Sequence, residues 1–293
     1  MQPILFELPG WGLRVQSYGV MILLACSGAL WMTIWRARRE GLETGVVYEL
    51  AVWLFLGGVL GARALFVITH PEAVHSVLDL VRGWQGGNVF YGCIMGGLAG
   101  SLLYWKRRPF PFWPMADAVA PALALGITLG RIGCFLAGCC FGSRCDLPWA
   151  VQFPRGSTAW LGQIEEGVLA PSADFTLPVH PAQLYAAFAG VLIFACLCAY
   201  FPRRRRDGEV MALLMVLYAL TRWPIESLRG DEPALFAGMT LSQNISIGLL
   251  LLGPVVWAGL PRRGAATSGP GRAAGHAGLS VSPAHGPLAD PVA

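Results

Sequence analysis

Three arginines, Arg63, Arg131 and Arg222, each interrupt a long run of apolar residues. A guanidinium placed in hydrocarbon costs about 2.5–3.5 kcal/mol on insertion scales, so it is retained where it faces a cavity, pairs with a carboxylate or binds an anion. Each follows an acid of the same run, Glu49, Asp117 and Glu209 respectively, by about fourteen residues. In a helix that separation is ~20 Å, which carries all three guanidiniums away from the acids and toward one membrane face. Arginine grips phosphate oxygens through two parallel hydrogen bonds where water is scarce. A shared depth therefore points to an anion site, with a phospholipid headgroup as the natural anion. The competing reading is three arginines that each reach nearby headgroups alone.

Helical spacing extends the pattern around Arg222. Tyr218, Glu226 and Arg229 fall on its stripe, because residues three and four apart share a helix face. Pro224 lies among them and removes a backbone donor. An Arg222–Glu226 ion pair that only holds the helix is the structural alternative to an anion site there. Thiols form a second concentration: four of the eight cysteines, Cys134, Cys139, Cys140 and Cys145, sit in one short stretch. In an oxidising compartment one or two disulfides are the simplest outcome. Zinc is the weaker reading, because no paired C-x-x-C occurs. No metal and no cofactor is expected. His180 precedes Pro181 at the mouth of an apolar run, as a base or a helix cap, whereas His70 and His75 have no partner in sequence.

The elements that must position these groups are apolar spans. Hydrophobic residues make up 55% of the 293 and charged ones 13%, too few charges for a soluble surface and ordinary for a chain that crosses a bilayer repeatedly. Seven windows have the roughly 20-residue scale that spans the hydrocarbon. They run approximately Val15 to Trp35, Tyr48 to Thr69, Asn88 to Trp105, Phe112 to Leu136, Pro181 to Phe201, Glu209 to Trp223 and Met239 to Leu260. Basic clusters follow the first, third, fifth and seventh. Cytoplasmic loops hold the excess of Lys and Arg, so the expected fold is an all-α membrane protein of seven transmembrane helices, N-terminus outside and C-terminus inside. Each cluster abuts an apolar run, so nucleic acid is not expected as a partner.

Residues 1–261 are read as one transmembrane domain with an external loop at about 137–180. Residues 262–293, rich in Gly, Ala, Pro and Ser, are read as a disordered cytoplasmic tail. The first apolar run precedes its positive charges, which marks a retained anchor and not a cleaved leader. Glycines four apart, at Gly92, Gly96 and Gly100, at Gly57 and Gly61, and at Gly126 and Gly130, predict faces where helices pack closely. Gly86, Gly87 and Gly138 read as turns.

These residues resemble the prolipoprotein diacylglyceryl transferase family along nearly the whole chain. The block Gly130-Arg131-Ile132-Gly133-Cys134-Phe135-Leu136-Ala137-Gly138 is similar to the family signature G-R-x-G-N-F-x-N-G. Gly61-Ala62-Arg63, Phe90-Tyr91-Gly92, His180-Pro181-Ala182-Gln183-Leu184-Tyr185 and Tyr218 to Arg222 with Glu226 and Arg229 add to it. The resemblance implies seven spans in a bacterial cytoplasmic (inner) membrane. It also implies transfer of the diacylglyceryl group of phosphatidylglycerol to the lipobox cysteine thiol of a preprolipoprotein signal peptide, the first step of lipoprotein maturation, with release of glycerol 1-phosphate. By the same resemblance, Arg131 binds the lipid and Arg222 is required for activity. Arg63, Tyr18, Tyr218, Arg229 and Gln183 line the substrate region, and Glu226, Tyr91 and His180 are candidates for the proton-handling groups.

The chain departs from the family pattern at Tyr91-Gly92-Cys93, where the family carries H-G-G, and at Cys134 and Cys139, where many members carry Asn and Glu. It therefore resembles a variant branch marked by Tyr-Gly-Cys and Gly-Cys-Cys-Phe. A tyrosine of pKa near 10 is a poor base at neutral pH. Two other functions stand beside the transferase: a catalytically altered lipid-binding membrane paralogue, and a transporter using the same cavity, which the odd number of spans disfavours.

Overall fold

The computed structural model describes residues 4–8, 13–71, 90–229 and 238–260. The expected tail, His75, Gly86, Gly87 and the start of the third apolar window lie outside the described residues.

A short antiparallel hairpin, β1 (Ile4–Leu8) on β2 (Leu13–Gln16), leads into α1 (Ser17–Arg39). There follow α2 (Thr44–Thr69), α3 (Phe90–Arg107), α4 (Phe112–Ala137), the short α5 (Thr158–Glu165), α6 (Ala182–Tyr200), α7 (Glu209–Ser227) and α8 (Leu241–Gly259). A helix thus stands at each of the seven apolar windows. Among the described residues six of them are long and apolar enough to cross a membrane. The remaining long one, α3, has 18 residues and ends on Lys106 and Arg107. The chain is a multi-pass helical membrane protein.

Two packing arrangements hold the bundle. In the first, α2 lies against α3, and glycine alone permits the contact: a Cβ on Gly96 would stand 2.1 Å from the Gly57 carbonyl oxygen, and one on Gly61 2.3 Å from that of Gly92. Small residues let backbones approach this closely where apolar side chains gain nothing over lipid. In the second, α4 packs on α1, α6 and α7, and α7 packs on α8. The expected face at Gly126 and Gly130 is not such a contact. Nothing lies within 4 Å of a Cβ on Gly126, and Gly130 meets only Ile22, at 4.0 Å. The close approach of α4 is made instead at Thr128, whose Oγ1 would stand 2.4 Å from a Cβ on Gly190 of α6.

The basic clusters among the described residues gather at one end. Arg36 lies over the Phe201 ring, Arg204 pairs with Glu40, Arg206 donates to the Trp257 carbonyl, and Arg108 pairs with Glu43 and Glu49. A core of Ala37, Val46, Val47, Leu50, Tyr104 and Met115 joins α1 to α4 at this same end. Here α7 begins at Glu209, and its first turn is capped from another helix: the buried Asp117 carboxylate of α4 accepts from the backbone N–H groups of Gly208, Val210 and Met211 at 2.8, 2.9 and 3.1 Å. A carboxylate satisfies the orphan donors of a helix start and suits its positive dipole end.

The stretch expected as an external loop is a folded unit. Phe141, Phe153, Ala159 and Val179 form its core, with Phe135 of α4 packed against them. Ser157 caps α5 by accepting from the Trp160 N–H, and isolated bridges such as Val151 with Val179 replace a sheet. Aromatic residues spaced through a loop-like composition were the available sign of a core.

Candidate anion-binding site

Arg131 and Arg222 come from different helices, α4 and α7, and open onto one narrow cleft between α4, α6 and α7. Ile127, Ala186, Ala189, Gly190, Ile193 and Ile225 make its apolar walls, and Tyr218 and Thr221 add hydroxyls beside the two guanidiniums. Gly190 matters twice, since the missing side chain brings α6 onto Thr128 and also lines the cleft.

The two guanidiniums of the cleft are only partly satisfied by the protein. Arg222 is buried; its Nη2 donates to Ser242 Oγ at 3.0 Å and lies 2.5 Å from Glu226 Oε2. Its Nη1 is buried with no hydrogen-bond partner among the described residues. Arg131 makes no hydrogen bond or ion pair among them. Glu226 is engaged from three sides, by Arg222, by Arg229 Nη1 at 3.5 Å and by the Thr240 hydroxyl at 3.3 Å. The expected stripe on α7 therefore exists, and the Arg222–Glu226 ion pair is real, yet that pair leaves half of the Arg222 fork unsatisfied. A buried donor without a partner is costly, and an anion's oxygens would satisfy it.

Other expected site residues fall elsewhere. Arg63 is not among the cleft-lining groups; its guanidinium stacks over the Phe66 ring at 5.1 Å on α2. Tyr91 is also outside the cleft, in the first turn of α3, where the glycine contact fixes that helix against α2. Three arginines at one depth thus become two in one cleft, because α2 and α3 pair with each other and leave α4, α6 and α7 to enclose it. Tyr18 is 40% exposed on α1 and packs against Gly133 of α4, two residues past Arg131. The acids preceding the arginines are structural, Asp117 as described, Glu49 in contact with Tyr104 and Arg108, and Glu209 with Tyr200.

A turn follows α4, a few residues past Arg131. Gly138 terminates the helix in a left-handed conformation, φ 75°, as its reading as a turn required. Gln183 of α6 is fully buried and donates to the Cys139 carbonyl at 2.8 Å. Gly142 and Ser143 are bonded to His180 and Leu228 through their backbones, so the turn is tied to the start of α6 and the end of α7. His180 neither lines the cleft nor caps α6, whose N-cap is Pro181 with no side-chain bond. Its ring faces Tyr185, with Nδ1 3.5 Å from the hydroxyl.

The cysteine expectation needs correction in number. All eight thiols are free, and only Cys134, Cys139 and Cys140 come together; Cys145 is not of that group. The Cys140 thiol is held below its ordinary range by hydrogen bonds from the Cys134 and Cys139 sulfurs and then by the charges of Arg131 and Arg229. Cys139, hydrogen-bonded to the Cys134 and Cys140 sulfurs and desolvated, is pushed up. Thr221, Thr240 and Ser242 were missed. Thr240 and Gln243 form a capping box at the start of α8, and that spacing was legible; Ser242 gave no sign.

A polytopic helical bundle enclosing an arginine-lined, otherwise apolar cleft is the form of a membrane protein that handles an amphiphile with an anionic head. The family model described as prolipoprotein diacylglyceryl transferase matches residues 3–258, and the chain belongs to that family. It is similar to the phosphatidylglycerol–prolipoprotein diacylglyceryl transferase of Clostridium tetani, 31% identical over 257 residues covering 88% of this chain and 97% of the relative. The Pasteurella multocida protein of the same name is 33% identical over 262 residues, covering 88% and 89%.

Proposed function

We propose that this chain transfers the diacylglyceryl group of phosphatidylglycerol to the lipobox cysteine thiol of a preprolipoprotein. The relatives carry that activity in their names, and the observation that carries it here is the pair of incompletely satisfied guanidiniums in one apolar cleft. Arg131 and Arg222 hold the phosphate, and the charge that grows on the departing glycerol phosphate is met by donors already in place. The acyl chains lie along the isoleucine and alanine walls. Glu226, fixed by Arg229 and Thr240, positions Arg222; Tyr218 and Tyr18 line the approach, and Gln183 holds the turn.

In this reading the basic end faces the cytoplasm, α3 is the seventh span, the N-terminus lies outside and residues 262–293 form a cytoplasmic tail. The folded unit at 137–180 covers the outer mouth of the site in a bacterial inner membrane. Purified protein given phosphatidylglycerol and a lipobox peptide is expected to yield the diacylglyceryl peptide together with glycerol phosphate. Release of neither overturns the proposal.

A second reading is a paralogue that binds the lipid without the chemistry. It is favoured by one observation, that neither Tyr91 nor His180 lines the cleft. Rescue of a transferase-depleted cell by this chain would dismiss it.

A further inference from the structure

The turn after α4 assembles sulfurs that no C-x-x-C spacing announces. The Sγ atoms of Cys134, Cys139 and Cys140 all lie within 4.8 Å of one another. The backbone enforces this. Cys139 N–H donates to the Cys134 carbonyl at 3.1 Å, folding the chain back over the helix end. Cys140 takes φ 58°, the one positive φ at a non-glycine among the described residues, and such a conformation is uncommon for a side chain-bearing residue. Gln183 pins the turn from α6 through the Cys139 carbonyl. The Oε1 of this fully buried amide has no partner among the described residues, an orphaned acceptor beside the turn of the kind a metal-bound water satisfies.

Charge and donor type agree. Arg131 precedes Cys134 by one turn of α4. A cation there offsets the net negative charge of a complex with several thiolates. The cluster holds sulfur alone, without imidazole or carboxylate, a donor set that selects soft thiophilic ions. Metal–sulfur bonds near 2.3 Å place the sulfurs of a tetrahedral site roughly 3.8 Å apart, so the cluster closes on an ion through small side-chain rotations. A disulfide uses two of the sulfurs and strands the third, whereas an ion uses all three.

We propose that Cys134, Cys139 and Cys140 form a three-thiolate site for one thiophilic d10 cation, of the zinc or copper(I) class. The site rests on its own geometry and is read out without transferase activity, so its failure leaves the proposed reaction untouched. The full chain, purified in detergent under reductant and stripped with a chelator, is loaded with Zn(II) alone or Cu(I) alone and dialysed. One equivalent is expected to remain with at least one of the two, and which ion remains identifies it. Loading is also expected to protect three thiols from alkylation, mapped by mass spectrometry to Cys134, Cys139 and Cys140, a measurement on the unaltered chain. The Cys134→Ser/Cys139→Ser/Cys140→Ser variant loses the equivalent, and Cys145→Ser keeps it. Retention of neither ion, protection at other cysteines, or undiminished retention in the triple variant overturns the site.

Discussion

The two ends of this bundle bury the same side chain for opposite purposes. At the basic end Arg204 is enclosed between two carboxylates, 2.5 Å from Glu40 and 3.2 Å from Asp117, and its guanidinium lies 3.9 Å over the Phe201 ring. Asp117 in turn meets three backbone donors. At the opposite end Arg222 and Arg229 pair with the buried carboxylate of Glu226, and Arg131 has no ion pair to it. Burial of an arginine therefore says little by itself. The origin of the acceptors distinguishes the two places: Arg204 meets carboxylates from α4 and from the end of α1 and ties them together, whereas Arg222 meets a carboxylate of its own helix and lines a cleft.

Breaking the joint is expected to have the largest effect. Asp117→Ala removes the acceptor of three N–H groups and leaves Arg204 buried with one partner fewer, a change of about 3–5 kcal/mol for a broken buried pair. Loss of detergent-stable protein in a thermal-unfolding assay checks it, and wild-type stability would show that Asp117 is not a joint. At the other end, Arg222→Ala leaves Glu226 bonded to Arg229 and Thr240 and should cost less stability than Asp117→Ala, while transfer falls by about 10²–10³, the loss for one preorganised donor to a transition-state charge. Lysine at 222 should recover only part, lacking the planar double contact. Equal loss of stability in both alanine variants would erase the contrast between the ends.

Two smaller effects sharpen it. Gly190→Val forces α6 away from Thr128 and crowds the cleft, and overpacking of this kind costs about 1–3 kcal/mol; the expected readout is a lower unfolding temperature together with weaker lipid binding. Arg63→Ala, away from the cleft, should change transfer by less than about two-fold, in keeping with roughly 0.5 kcal/mol for a substitution outside such features. A loss comparable to that of Arg222→Ala would restore Arg63 to the anion site.

Apolar run length marked each long helix among the described residues, six of them long and apolar enough to cross a membrane, and the positive charges marked one end of the bundle before any packing was known. The stripe Tyr218, Arg222, Glu226 and Arg229 was legible for a similar reason, because 3.6 residues per turn fixes what lies along one helix. Depth within a span was legible too, and it correctly set Arg131 and Arg222 apart from the acids. Depth alone did not say which neighbours Arg63 would have, and it lies outside the cleft that Arg131 and Arg222 line.

What only the tertiary structure decided is partnership across helices. Glycines sent α2 against α3 and left α4, α6 and α7 to enclose the cleft; the same type of spacing at Gly126 and Gly130 made no such contact. Asp117 was claimed by Arg204, 87 positions away along the chain, and three of four neighbouring cysteines were drawn together by a left-handed turn. Periodicity is a property of one helix, whereas a shared cleft depends on which faces fit closely enough to meet. That fit is set by side-chain volume at crossings no single run of sequence contains.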